Sequence, residues 1–63
     1  MPVKTHRQNA IDALDRLQEL ARSARIELEE NRPYFYWEPK LLEIVTQIQI
    51  LRLSAEMIFR EAR

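Results

Sequence analysis

Hydrophobic residues recur along this chain at alternating spacings of four and three, in two separate runs. The first is Ala10, Leu14, Leu17, Ala21, Ala24 and Leu28. The second is Leu41, Ile44, Ile48, Leu51, Ala55, Ile58 and Ala62. Such a heptad places each run on one stripe of an α-helix and predicts coiled-coil-like packing at a small crossing angle. The two runs are separated by Pro33-Tyr34-Phe35-Tyr36-Trp37-Glu38-Pro39. The pattern predicts an all-α fold: an antiparallel helical hairpin in a single domain spanning residues 1–63.

Local signals set the expected boundaries. Thr5 followed by Gln8 fits a capping box, so helix one is expected over about 5–31. Asn31 tolerates the left-handed conformation that closes a helix, and Arg32 precedes a proline that disfavours helix. The aromatic segment, about 32–38, is read as a loop. Helix two is expected over about 39–62, with Pro39 in its first position and Trp37 stapled to Leu42. At ~1.5 Å per residue, each helix is roughly 35–40 Å long.

The rest of helix two is not polar. Val45 and Phe59 widen its heptad stripe, while Leu42, Ile50, Leu53 and Met57 fall on nearly the opposite side, with Thr46 among them. A helix apolar nearly all round expects burial all round. Helix one has no comparable second face; Ile26 alone is far from its stripe. The simplest completion is a homo-oligomer, a twofold dimer of hairpins forming a four-helix bundle. In that bundle the heptad stripes fill the core, and the Leu42, Ile50, Leu53 and Met57 face stays uncovered. Either a larger oligomer such as a tetramer buries it, or a protein partner does.

Four of the five aromatic residues are consecutive, Tyr34 to Trp37. Their structural role is to plug the open end of the bundle. Consecutive rings cannot all point inward, so one or two remain as anchors for binding.

Composition narrows the chemistry. The 63 residues hold no glycine and no cysteine, so no disulfide, thiolate metal site or glycine phosphate loop is available. The single histidine, His6, lies at the start of helix one, and Ser23 and Ser54 are mid-helix. No nucleophile–base arrangement and no Glu-x-x-His metal pair can be assembled from them, so neither an enzyme nor a cofactor is expected. Glu43, Arg52 and Glu56 interrupt the most apolar stretch, 41–59, and argue against a membrane span. The N-terminus lacks the apolar run of a signal peptide, and the expected location is cytoplasmic.

Ten basic and ten acidic residues cancel, which disfavours a general polyanion binder. Pairs such as Asp12–Arg16, Arg25–Glu29, Arg52–Glu56 and Glu56–Arg60 are read as solvated helix faces. The functional expectation is a small oligomeric protein-interaction module of adaptor, co-chaperone or regulator type. Its partner-binding residues are Tyr34, Phe35, Tyr36, Trp37, Leu42, Ile50, Leu53 and Met57. The alternative is a nucleic-acid-binding regulator using Lys4, Arg7, Arg22, Arg25 and Arg32.

Overall fold

The computed structural model describes residues 4–62, which form two helices, α1 (His6–Glu29) and α2 (Tyr34–Glu61), packed as an antiparallel hairpin. The molecule measures 46 × 23 × 14 Å. Its thinnest dimension is about one helix diameter, so the hairpin is a single layer.

Helix α1 starts and stops where its caps dictate. The Thr5 hydroxyl accepts from the Gln8 backbone N–H at 3.0 Å, satisfying one of the helix's orphan donors. The second half of the expected capping box is absent, because the Gln8 side chain turns forward and donates to Asp12 at 2.9 Å. At the other end Asn31 adopts φ 57°, the left-handed conformation its short amide side chain tolerates. Asn31 N–H then donates to Leu28 O and Arg32 N–H to Glu27 O, the double bond of a Schellman closure.

Helix α2 corrects the expected loop. It begins at Tyr34, not Pro39, with Pro33 as N-cap, so Pro39 lies inside the helix. The connection shortens to residues 30–33, well within the range common between packed helices. Pro39 is tolerated because it sits within the first two turns, where it removes one bond, to the carbonyl of exposed Phe35. In the longer helix Trp37 becomes half-buried, and Lys40 reaches Ser23 and Glu27 of α1. Trp37 also ties the helix start to the connection, its indole N–H donating to Arg32 O at 3.1 Å. The Trp37–Leu42 staple is therefore not formed as expected; Trp37 lies within the helix and not ahead of its cap.

The contacts between the helices set their register. His6 Nε2 lies 3.6 Å from Glu61 at one end, and Lys40 meets Ser23 and Glu27 near the other. Each step up α1 is thus matched by a step down α2. In α1 the buried residues are Ala13, Leu20 and Ala24, with Leu17 half-buried. In α2 the seam is Lys40, Ile44, Gln47, Leu51, Ser54 and Ile58, of which only Ser54 is fully buried.

The seam therefore divides each heptad stripe. Leu17, Ala24, Ile44, Leu51 and Ile58 turn toward the other helix. Leu14, Ala21, Leu28, Leu41, Ile48, Ala55 and Ala62 remain exposed. The other half of the seam is polar: Lys40 Nζ donates to Ser23 Oγ at 2.6 Å and to Glu27 Oε1. The second Glu27 oxygen is buried and accepts no hydrogen bond. Beside this group Arg16 bridges to Glu43 at 2.9 Å, in place of the expected Asp12–Arg16 pair.

Two outcomes follow. Glu27→Ala leaves the Lys40 ammonium partly stranded and costs about 1–3 kcal/mol in chemical denaturation. The apolar pair Glu27→Leu with Lys40→Met is neutral or stabilising by comparison, as for other partly buried ion pairs. Hydrogen bonds from Lys4 and Gln8 hold the Asp12 carboxyl below its ordinary value. Its contribution to stability is complete above the usual carboxylate range and is lost as pH falls through the lowered value. A carboxyl NMR titration should show the depressed midpoint, and Lys4→Ala should raise it.

Candidate protein interface

Two apolar surfaces flank the seam. A helix turns ~100° per residue, so Leu14, Ala21 and Leu28 lie about a quarter-turn from the buried line of α1. Leu41, Ile48, Ala55 and Phe59 lie a quarter-turn from that of α2. In antiparallel helices, offsets of the same sense fall on the same side of the hairpin. The opposite offset confirms the geometry: Arg16 and Glu43 both lie on the other shoulder, and there they meet. One flat side of the molecule is thus apolar across both helices. Leu14 is 49% exposed, Ile48 50% and Phe59 66%. Val45 sits at its edge, and a shallow notch opens beside Ala55 and Phe59.

The second surface belongs to α2 alone. Leu42 and Leu53, the latter 63% exposed, face away from α1, with Ile50 and Met57 turned partly toward the polar shoulder. Thr46 does not break the surface electrostatically, because its hydroxyl donates back to Leu42 O at 3.2 Å.

The aromatic segment is helical and not a loop. As the first turn of α2 it distributes its rings around the helix. Phe35 falls in line with Leu42 and Leu53, and Tyr34 falls with Leu41 and Val45 on the flat apolar side. Tyr36 faces the polar shoulder, with the Arg32 guanidinium 5.7 Å from its ring centre. Trp37 continues the heptad stripe and is the one ring of the four that is half-buried; the other three are exposed. Neighbouring rings touch, Tyr34 edge-on to Phe35 at 6.1 Å and Phe35 tilted on Tyr36 at 4.8 Å. The eight residues expected to bind a partner are thereby separated. Phe35, Leu42 and Leu53 share a face, Ile50 and Met57 border it, and Tyr34, Tyr36 and Trp37 lie elsewhere.

The basic residues are not gathered either. Lys4 is bound to Asp12 at 2.8 Å, Arg25 to Glu29 at 2.6 Å and Arg32 to Glu30 at 3.1 Å. Arg7 and Arg22 are exposed but lie fifteen positions apart, roughly 22 Å along the helix. Asp15 and Glu29 stand on the same outer side by helical spacing. Their cations are spent on local carboxylates or diluted by them, which leaves little field for a phosphate backbone.

Two features of the sequence pattern become visible only in the folded hairpin. The flat apolar side draws on α1 as much as on α2, because Leu14, Ala21 and Leu28 stay outside the seam. The polar shoulder had a signal of its own: Lys40, Gln47 and Ser54 recur every seven residues beside the apolar heptad. Among the described residues no group of three or more metal-binding side chains occurs, and no helix is long and apolar enough to cross a membrane. No protein-family model, curated protein or solved structure matches the chain.

Proposed function

We propose that this protein is a non-enzymatic interaction module that acts as a homodimer. Two hairpins pair through their flat apolar sides into a four-helix bundle, and the outward face of α2 carries a protein partner. The supporting observation is the division of the heptad stripes. Half of each stripe covers the other helix of the same chain, and the remaining halves lie together on one open side. A square bundle requires that arrangement, because each helix then contacts two neighbours at right angles.

Phe35, Leu42 and Leu53, with Met57 at the border, lie on the side of α2 away from such a core. They form an apolar ridge on a helix, suited to a groove or an apolar helix face of a partner. Their exposure in the dimer is the reason to assign the partner to them and not to the flat side.

The assignment is tested by two charge insertions read by sedimentation equilibrium and circular dichroism. Ile48→Glu should weaken the dimer by roughly a hundredfold or more, since it buries a carboxylate in the bundle core. Leu53→Glu should leave both mass and helicity unchanged while abolishing partner binding. A wild-type mass of a tetramer that Leu53→Glu reduces to a dimer would mean that the outward face is self-buried. A monomeric wild type would refute the dimer.

A further inference from the structure

The central row of the seam on each helix is flanked by two others, and only one of them is used. In α1 the row Ala10, Leu17 and Ala24 has Ala13, Leu20 and Glu27 on the polar shoulder and Leu14, Ala21 and Leu28 on the flat side. In α2 the row Ile44, Leu51 and Ile58 has Lys40, Gln47 and Ser54 on the shoulder and Leu41, Ile48 and Ala55 on the flat side. Every row repeats at seven residues, so the central rows complete a heptad seam with either flank. The hairpin uses the shoulder flank. Ala13 and Ser54 are buried, while Leu14 and Ile48 stay in the open.

Resting on the dimer reading above, we propose that these are two alternative seams of one hairpin, and that the Lys40 group selects the one that leaves the flat side open. Rotating each helix by about 50°, half of one residue step, exchanges one flank for the other around central rows that stay in contact. Neither helix has to unwind. In the closed seam Leu14, Leu28, Leu41 and Ile48 go in, and only one large apolar side chain, Leu20, comes out. Burial of carbon therefore favours closure. The side left facing outward then mixes Val45 and Phe59 with Gln18, Arg25 and Arg52. It no longer offers a continuous apolar surface to a second copy.

What opposes closure is polar and lies on one shoulder. Lys40 Nζ donates to Ser23 Oγ at 2.6 Å and to Glu27 Oε1, and Arg16 meets Glu43 at 2.9 Å. The Lys40 and Glu27 side chains are only 29% and 19% exposed, so water and salt screen their pairing less than that of the surface pairs. Rotation to the closed seam gives up this packed contact. Reversing one of the two charges turns attraction into repulsion and releases the helices toward the closed seam. Exchanging both charges returns them.

Introduced thiols report the rotation, because the chain has no cysteine of its own. Ala13 and Ala24 are both buried inside the hairpin, at 3% and 2% exposed, but only Ala24 belongs to a central row. Rotation therefore uncovers position 13 and not position 24, whereas unfolding uncovers both. Ala13→Cys and Ala24→Cys are each placed in the parent chain, in Glu27→Lys, and in Glu27→Lys with Lys40→Glu. Helicity is checked by circular dichroism, alkylation rates are measured, and mass is read by sedimentation equilibrium.

In Glu27→Lys the thiol at position 13 should react roughly tenfold faster than in the parent, the thiol at position 24 should stay protected, and the dimer should weaken by a similar factor. The charge exchange should restore all three. Equal acceleration of both thiols means a hairpin that loosens without rotating, and overturns the second seam. An unchanged thiol at position 13, or a charge exchange that restores nothing, overturns it as well. Where Glu27→Lys does not fold, Glu27→Ala takes its place, with the same order of the two thiols expected and the same results overturning it. A dimer of unchanged affinity beside an uncovered position 13 separates the seam from the flat side and overturns the control. A monomeric parent whose thiols behave as expected removes the dimer and leaves the two seams standing.

Discussion

Lys40 stands at the junction on which the rest of this molecule depends. Its ammonium reaches across from α2 to Ser23 and Glu27 of α1, and the Arg16–Glu43 pair lies beside it. These groups are satisfied only on one shoulder of the seam. The helices are thereby rotated so that polar heptad positions share the interface with apolar ones. A seam centred on the full apolar stripe would bury more carbon but would leave the Lys40 and Glu27 charges unpaired. A half-buried charge without a partner costs more than a few exposed methyl groups. The consequence is the open side: Leu14, Ala21 and Leu28 with Leu41, Ile48 and Ala55 are turned out of the intrachain contact.

The small residues on the seam act in the same direction. Ala13 and Ala24 are the most buried hydrophobic residues described, and Ser54 matches them in α2. Short side chains permit close approach and bury little area. Among the described residues no large side chain is fully enclosed. The hairpin is consequently one layer thick, whereas stable domains are built from two or more layers around a core. The proposed dimer supplies the second layer from the same sequence, which explains why both helices carry their remaining apolar residues on one side.

The aromatic turn illustrates a different constraint. Four large rings in succession cannot share a direction on a helix, since each step rotates by about 100°. Trp37 is drawn into the stripe and hydrogen-bonded to the connection, while Phe35 extends the outward ridge of Leu42 and Leu53. One short segment thus contributes to three surfaces, and its density in sequence does not become density in space.

The heptad spacing by itself determined the two helices and the stripe on each that seeks contact, because periodicity depends only on the helical repeat, and the short proline-bearing connection determined their antiparallel return. The Thr5 cap and the left-handed Asn31 were equally legible, since each is a local preference of one or two residues. Tertiary structure decided what the repeat leaves open. The start of α2 moved back to Tyr34, where the extra turn half-buries Trp37 and ties its indole to Arg32 O of the connection, a gain that outweighs the local cost of Pro39. The same packing set the rotation of each helix about its axis. A heptad names the face that seeks contact, but only the reach of Lys40 in α2 to Glu27 in α1 selects which half of that face meets the other helix of the hairpin and which half is left for another molecule.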